Sequence, residues 1–306
     1  MNLAEKYYSY TNKEEIRKGL ANASIPELMQ NLKEAGEENG TDIFLSVARE
    51  MLVQRILNLD TLYVVVDNST NSPSIDIHGG LLCFSNKILA DGTPAMAKNG
   101  HGFSWSVQPI PQTEILEFLA MAFYLHGATN VCLDYRVDFP TLRADEIITL
   151  DQAVEKFWNG ENLSVNPAFC RSVIQMVQLR NANPANGILD LQGMIRFAQD
   201  NMINALCEGC FAVPVAPSSE DDPSVDSVNF RRIRLDNGEL AIPVFTDMYS
   251  LVTAMGADHD IIVLSGPELA RVGYNIVVNP GAFGPFFSAD QLQECIKKHG
   301  EKEASA

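Results

Sequence analysis

The sequence predicts an α+β fold made of two tandem repeats of a mixed-sheet unit with flanking helices, preceded by a helical lead-in. Short, β-branched apolar runs such as 62–66 and 261–264 are typical of buried strands. Between such runs, apolar residues recur at three- and four-residue spacing, which indicates amphipathic helices. An Asn-Pro pair that ends an apolar run occurs at 166–167 and again at 279–280. That recurrence predicts the repeat.

Length, composition and charge narrow the classes of protein. The chain has 306 residues, of which 46% are hydrophobic and 20% charged, as in an ordinary globular protein of about two domains. Its formal net charge of -17 makes nucleic acid and anionic membrane surfaces unexpected partners. The most apolar run, 115–125, is too short to cross a bilayer. Because the first residues are polar, we expect no signal peptide and a cytoplasmic protein with reduced cysteines.

The first half of the chain is predicted to alternate helices with short strands after a lead-in of two polar helices. Ser24 and Pro26 are suited to the N-cap and first turn of the second lead-in helix. The predicted helices cover 25–33, 44–52, 113–125, 151–158 and 168–179. The predicted strands cover 62–67, 75–77, 81–84, 103–107, 131–135, 147–150 and 163–166. The segment 91–102 has the composition of a loop, and Pro109 and Pro111 should end the strand before them.

A linker rich in Asn, Pro and Gly at 181–187 divides the chain into predicted domains 1–180 and 188–306. Pro214 favours an edge or bulge position for its strand, and 218–226 should be an acidic loop. A hairpin is predicted over 228–240, since Asn237-Gly238 supplies a tight turn. The predicted helices of this half are 188–206 and a last helix ending near 299. The predicted strands are 211–215, 242–245, 261–264 and 276–278.

The two halves align element by element. The strand at 163–165 corresponds to 276–278, and that at 147–150 corresponds to 261–264. Tyr63 lies 103 positions before Asn166, whereas Phe211 lies 68 positions before Asn279, so the first copy would carry 35 extra residues. We place these between 86 and 145. The alternative is a chance match between short apolar strands.

The clearer copy resembles a known family. The run 242–247, the β-α-β pattern after it and the segment 278–281 resemble the SseB family N-terminal domain, over about 100 residues from Phe211 to the last helix. The resemblance implies a compact α+β unit. It implies little about activity, because the family has no established enzymatic chemistry. The motif positions carried over are Pro243, Phe245, Thr246, Asn279 and Pro280; the first half has no matching Pro-Val-Phe-Thr run.

Polar residues at strand ends are the candidate site, because ligands often dock where strands of an open sheet end. The candidate ligand- or partner-binding residues are Pro243, Phe245, Thr246, Asp247, Asn279, Pro280 and Asn166. The alternative is a structural role. Thr246 or Asp247 would cap the next helix, and each Asn side chain would bond to the backbone of the turn that it begins.

Motifs for metal, cofactor or catalysis are weak. Cys207 and Cys210 have redox spacing, but they follow a helix and precede a strand, which is the wrong helix end to activate a thiol. A zinc site needs about four ligands, and the sequence has no second Cys pair or neighbouring His pair. No Walker loop and no Gly-x-Gly-x-x-Gly run occurs. We therefore predict no cofactor, no metal and no catalytic residue, and leave the redox role of the Cys pair open.

The sequence thus predicts a cytoplasmic, non-enzymatic protein that acts by binding a protein partner or by self-association. A second hypothesis is a sensor that binds a small molecule, an amino acid or metabolite, near Thr246 and Asn279. An enzyme without a recognisable motif is the third. An exposed apolar patch would favour the first, a deep pocket with converging polar groups the second, and a carboxylate or thiol of shifted pKa in that pocket the third.

Overall fold

The computed structural model describes residues 12–37, 42–100, 102–134, 141–182, 190–216, 229–257, 259–282 and 284–303, without the side chains of 95–100 and 302–303. The chain forms two compact units. The N-terminal unit comprises Met1–Phe123, Ala128–Phe157 and Ala182–Ile188, and the C-terminal unit Tyr124–Gly127, Trp158–Asn181 and Leu189–Ala306. Residues 158–181 therefore group with the second unit, not with the predicted first domain. Most of the predicted linker 181–187 and all of the acidic loop 218–226 lie outside the described residues.

The N-terminal unit begins with two helices, as the lead-in predicts. Ser24 caps the second helix with a capping box, since its hydroxyl accepts from the Glu27 N–H and its own N–H donates to the Glu27 carboxylate. The helices are α1 (Lys13–Leu20), α2 (Ile25–Glu37), α3 (Asp42–Leu57), α4 (Lys87–Gly100), α5 (Ile115–Tyr124), α6 (Ala144–Ile147) and α7 (Leu150–Phe157).

The strands of this unit form one mixed sheet. They are β1 (Thr61–Asp67), β2 (Ser72–Pro73), β3 (Gly80–Phe84), β4 (Trp105–Pro111), β5 (Asn130–Leu133) and β6 (Leu142–Arg143). The order is β4, β1, β3, β5, β6, with β2 also beside β1, and only β3 and β5 run parallel. Within the described residues β4 is an edge strand, and it continues through Pro109 and Pro111 instead of ending before them.

The loop predicted at 91–102 is wrong, because α4 covers most of it. Asn86 begins this helix, and its side chain accepts a hydrogen bond from the Ile88 N–H at 2.7 Å. Ala90 is completely buried against a cluster that includes Val65 and Leu82. Packing against the sheet therefore outweighs the turn-like composition of the segment.

The strand predicted at 147–150 is also wrong. The end of α6 and the start of α7 occupy it, and Thr149 and Gln152 form a capping box at the start of α7. The strand predicted at 163–166 is reduced to one bridge between Ser164 and Asp247. Both segments were needed to match the second half, so the α+β class is confirmed but the tandem repeat is not.

The C-terminal unit contains the predicted strands and helices of the second half. Its helices are α8 (Pro167–Asn181), α9 (Leu191–Glu208), α10 (Met248–Met255), α11 (Gly266–Val272) and α12 (Ala289–Glu303). Its strands are β7 (Cys210–Val215), β8 (Ile233–Arg234), β9 (Leu240–Val244), β10 (Asp260–Ser265), β11 (Ile276–Val278) and β12 (Phe286–Phe287). The predicted hairpin is present at β8 and β9, with Gly238 at a φ of 86° in its turn.

One residue pair joins the strands of this unit into a continuous sheet. β10 and β7 are antiparallel, and β11 lies between antiparallel β12 and parallel β9. Ala212 at β7 and Phe245 just after β9 exchange both backbone hydrogen bonds, at 2.9 Å each. The order across the sheet is therefore β10, β7, β9, β11, β12.

Two prolines stop the ladder between β7 and β9. In the register that pairs Ala212 with Phe245, the next residues that would exchange hydrogen bonds are Pro214 and Pro243. Neither has an N–H to donate, so the ladder ends after one pair. Residues 229–234 pair there instead: the Ala216 N–H donates to Asn229 at 2.7 Å, and β8 pairs with the start of β9.

The expected edge or bulge position of Pro214 is accordingly corrected. β7 has neighbours on both sides, β10 on one and Phe245 with residues 229–231 on the other. Pro214 marks the point at which β7 changes partner. The Pro214 nitrogen is on the side of β7 away from β10, so the missing N–H removes no hydrogen bond between these two strands.

The two faces of the sheet are covered by different helices. On one face, Leu251 of α10 packs with Ala212 and Phe245. On the other, Phe211 meets the ring of Phe169 edge-to-face, with centroids 5.3 Å apart. The sheet therefore packs against α10 on one face and against Phe169 of α8 on the other.

We predict that Gly266→Ala destabilises the C-terminal unit by about 3 kcal/mol, the range of overpacking in a rigid contact. A Cβ at Gly266 would lie 1.8 Å from the carbonyl oxygen of Leu206, so the backbones of α11 and α9 would have to separate. The control is Gly300→Ala on α12, where a Cβ meets nothing within 4 Å. That change should stabilise by roughly 0.5–1 kcal/mol. Urea denaturation of both variants measures the difference, and equal effects would contradict the close approach.

Candidate functional site at the strand ends of the C-terminal unit

The structure brings the predicted polar residues together. β9 and β11 are parallel neighbours, so the residues that follow them, Thr246 and Asn279, lie at the same edge of the sheet. The segment before α8 approaches from the other side, and its Val165 and Asn166 N–H groups donate to the Thr246 carbonyl at 3.1 and 2.7 Å. We call Asn166, Thr246, Asp247 and Asn279 the strand-end cluster.

Asn279 ties the end of β11 to the end of β9. Its N–H donates to the Val244 carbonyl at 2.8 Å. Its side-chain oxygen accepts from the Thr246 N–H at 3.0 Å, and its side-chain nitrogen donates to the Thr246 hydroxyl at 2.7 Å. The backbone is left-handed here, with φ of 42°, a conformation that Asn tolerates better than most residues. Asn279 thus connects two strands through both its backbone and its side chain.

Asp247 is the N-cap of α10. One of its carboxylate oxygens accepts from the Ser250 N–H at 2.7 Å, and the other accepts from the hydroxyls of Ser250 and Thr246 at 2.8 and 2.9 Å. Thr246 and Asp247 are 1% and 3% exposed. The carboxylate is therefore enclosed by donors from its own helix and strand, the structural role that capping predicts.

Asn166 is the N-cap of α8, as Asp247 is of α10. Its side-chain oxygen accepts from the Phe169 N–H at 3.1 Å, and its side-chain nitrogen donates to the Ala205 carbonyl near the end of α9 at 3.0 Å. Gly209 approaches so closely that a Cβ there would lie 2.2 Å from the Asn166 nitrogen. Asn166 therefore holds the start of α8 against the end of α9.

The apolar candidates are structural as well. Phe245 is fully buried in the cluster under α10, and Pro243 is buried at the end of the β7–β9 ladder. Pro280 is half-buried in the turn that the Asn279 carbonyl closes by accepting from the Ala282 N–H at 3.1 Å. Across the cluster the polar atoms bond to one another, so the arrangement braces three chain segments and presents few groups to a ligand.

Part of this unit is similar to a known domain family. Residues 194–294 match the family model of the SseB protein N-terminal domain. The match begins within α9 and ends within α12, so it contains all six strands that the structure describes in the C-terminal unit. It supports the second of the two predicted copies and does not extend to the first. Neither the curated proteins nor the solved structures contain a match to the chain.

The strand-end cluster includes residues outside the family match. Asn166 and α8 precede residue 194, yet they belong to the same compact unit and bond to Thr246 and Ala205. The compact unit is therefore larger than the family match, and α8 with its N-cap Asn166 is among the parts that it adds.

Two titratable residues beside the cluster were missed by the sequence analysis. Burial lowers the pKa of His126, although the nearby charge of Asp247 acts in the opposite direction. Its Nδ1 is buried without a hydrogen-bond partner among the described residues. Burial, followed by the charge of Asp247, raises the pKa of Cys170 to about 12, against a hydrogen bond from Thr246. At neutral pH the imidazole is therefore neutral and the thiol protonated. The only sequence signal was Cys170 four residues after Asn166, one turn into α8.

No disulfide joins Cys207 and Cys210. Cys207 is buried in the last turn of α9 and Cys210 is exposed at the start of β7, and all six cysteines are free thiols. In the part of the chain that the structure describes, no group of three His, Cys, Asp or Glu side chains has metal-binding geometry. Among the same residues, no helix combines the length and apolar character needed to cross a membrane.

A surface groove of about 310 Å³ lies elsewhere in the SseB domain, between α9 and α12. Polar side chains from both helices line it, including Asp200, Asn204 and Glu294, together with Cys295 and His299. His299 lies 3.4 Å from the Glu208 carboxylate. None of the strand-end cluster contributes to this groove.

We predict that Asn279→Ala destabilises the SseB domain by about 3 kcal/mol. The change removes two hydrogen bonds, leaves the Thr246 N–H unpaired in a buried position and forces Ala into a left-handed conformation. Asn279→Gly removes the same bonds but tolerates the positive φ, so it should cost about 1 kcal/mol less. Chemical denaturation gives both values. A change below about 0.5 kcal/mol for both variants would show that Asn279 does not brace the strands.

We predict that the C-terminal unit loses stability as the pH falls below 6.5, the ordinary pKa of histidine. The pKa of folded His126 is lowered, so the unfolded chain takes up the proton first, and acid shifts the equilibrium toward unfolding until the folded pKa is passed. His126→Gln should reduce the drop in Tm between about pH 7.5 and 5.5. The exposed His78→Gln is the control and should keep the parent drop. An identical drop in the His126 variant would contradict this assignment.

Proposed function

We propose that the SseB domain is a protein-interaction module that binds another polypeptide along the edge strand β10, and that the chain acts by this binding and not by catalysis. The supporting observation is the open edge of β10. Among the described residues this strand has a hydrogen-bonded neighbour, β7, on one side only. An open edge offers backbone groups to which an extended peptide adds as a further strand.

The register identifies which groups are available. Ala212 uses its N–H and C=O for Phe245, so the β7 residues that bond to β10 are its neighbours Phe211 and Val213. Their partners in β10 are Leu264 and Ile262. The N–H and C=O groups of Ile261 and Val263 therefore point away from β7, to the open edge.

The N-terminal unit has an edge strand of a different kind. The Gln112 N–H donates to the Asp60 carbonyl, so in β4 the residues at 105, 107, 109 and 111 face the open side. Two of these are Pro109 and Pro111, which cannot donate. Prolines are a common protection of an edge against pairing with another chain. Residues 261–264 are Ile-Ile-Val-Leu and carry neither proline nor charge.

Exposed apolar side chains accompany the open edge. Val263 is 59% exposed, and it lies opposite Ala212, on the sheet face that α10 covers. On α10, Tyr249 and Val252 are also exposed, one turn apart on the same flank of the helix. An apolar strand bounded by exposed apolar residues fits a polypeptide partner.

The strand-end cluster gives less support to catalysis or sensing. Its amide, hydroxyl and carboxylate groups bond to one another, and the raised pKa of Cys170 keeps the nearby thiol from acting as a nucleophile at neutral pH. The free cysteines fit a reducing compartment, and we place the interaction in the cytoplasm.

The second candidate function is binding of a small molecule. The observation that favours it is the groove between α9 and α12, whose volume of about 310 Å³ is at the lower end of ligand pockets. Its mixed lining, with Asp200, Glu294 and Lys298, would suit a zwitterion such as an amino acid. A thermal-shift screen against amino acids and metabolites tests it, since a ligand at 100 times its dissociation constant adds about 2.7 kcal/mol.

We expect peptides selected from a displayed random library on the full chain to bind at β10. Val263→Pro removes an N–H from the open edge but no bond to β7, because Val263 and Ala212 are a non-hydrogen-bonded pair. It should weaken peptide binding at least about tenfold by fluorescence anisotropy, the effect of losing roughly 1.4 kcal/mol. Val263→Thr keeps the N–H and the shape, so it should bind as the parent does. Equal affinities of the parent and the proline variant would contradict strand addition at β10.

A further inference from the structure

We propose that the polypeptide that pairs with β10 is β10 of a second copy of this chain, antiparallel to the first about a two-fold axis at Ile262. This inference rests on the proposed function, since it uses the same open edge, and it names the partner. A two-fold contact of this kind uses the same surface on both copies and closes on itself.

The hydrogen-bonding groups of the edge fit this register. With the axis at Ile262, Ile261 of each copy lies opposite Val263 of the other, and these are the residues whose N–H and C=O groups face outward. Each such pair exchanges two backbone hydrogen bonds, which gives four bonds across the axis. Every outward-facing group of Ile261 and Val263 is then used.

The neighbouring registers fit less well. An axis at Val263 would place Ile261 opposite Ser265, whose N–H already donates to the Glu268 carboxylate at 2.8 Å. An axis at Ile261 would place Val263 opposite His259, whose N–H already donates to the Ala257 carbonyl at 3.1 Å. Only the axis at Ile262 pairs residues whose donors have no partner among the described residues.

The side chains agree with the same register. Val263, more than half exposed in one copy, would lie directly against Ile261 of the other, and branched apolar pairs of this kind stabilise antiparallel strands. The two Ile262 side chains would meet at the axis on the opposite face. Asp260 would lie opposite Leu264, so no two acidic residues face each other at the contact, although the chain carries a net charge of -17.

The joined sheet would also be covered evenly. A two-fold axis perpendicular to the sheet keeps equivalent faces together, so α10 of both copies would lie on one face. Val263 of each copy would then lie between the two α10 helices, in an apolar layer continuous with the cluster of Ala212, Phe245 and Leu251.

Sedimentation velocity of the full chain over a roughly hundredfold range of concentration tests the association. We expect a concentration-dependent dimer whose dissociation constant rises at least tenfold in Val263→Pro and stays within twofold of the parent in Val263→Thr. A monomer at every concentration, or a dimer indifferent to Val263→Pro, would overturn the inference. Ile262→Pro is the control for unfolding, because it removes a hydrogen bond to β7 and should lower the thermal stability. If Val263→Pro weakens the dimer without such a loss of stability, the effect is due to the open edge and not to unfolding.

Cross-linking tests the register. In a Cys210→Ser background, Ile262→Cys places two thiols at the axis, in a non-hydrogen-bonded pair whose Cα atoms are about 4.5 Å apart and within disulfide reach. Mild oxidation should then give a disulfide-linked dimer that a reductant converts back to monomer on a denaturing gel. Val263→Cys is the matched control and should cross-link at least tenfold less, since it lies opposite Ile261. Equal cross-linking of both variants would overturn the axis at Ile262.

The peptide experiment distinguishes the two proposals. If the chain is a monomer but selected peptides bind it and lose affinity in Val263→Pro, the module binds a different protein and only the second-copy inference fails. If neither peptides nor a second copy uses β10, the proposed function fails with it. If both hold, the selected peptides should dissociate the dimer in proportion to their affinity for the edge.

Discussion

The pair of hydrogen bonds between Ala212 and Phe245 is the contact on which the C-terminal unit depends. It is the point at which β7 and β10 join the strands β9, β11 and β12, because Pro214 and Pro243 remove the donors of the next pair. It also sets the orientation of β7, and through β7 it decides which side of β10 faces outward. This one pair of backbone hydrogen bonds therefore links the strands into one sheet and determines which backbone groups of β10 face the open edge.

The strand-end cluster adds further hydrogen bonds between the strands and helices of this unit. Asn279 binds β11 to Thr246 immediately after β9, and the Thr246 carbonyl in turn receives the segment that caps α8. Each polar group is satisfied by a neighbour that is itself fixed, so the cluster is buried at little cost. Through the Asp247 cap the cluster also fixes the start of α10, the helix that carries the exposed Tyr249 and Val252.

Sequence patterns predicted the second half better than the first. The strands at 211–215, 261–264 and 276–278 are continuous apolar runs, and such runs have few alternatives to a buried strand. The run 147–150 is similar in composition, but Thr149 and Gln152 cap a helix there, and 91–102 is helical because Ala90 packs against the sheet. Local composition was misleading where capping or tertiary packing supplied the larger energy.

The sequence by itself determined the α+β class, the strands at 211–215, 261–264 and 276–278 and the identity of the polar strand-end residues. Only the tertiary structure decided that Asn166, Asp247 and Asn279 all bond to Thr246, since these contacts join residues up to 80 positions apart. The same holds for the edge of β10. Whether Val263 faces a neighbour or an open side depends on which way Ala212 bonds, and hydrogen-bond direction is a property of strand pairing that no run of residues encodes alone.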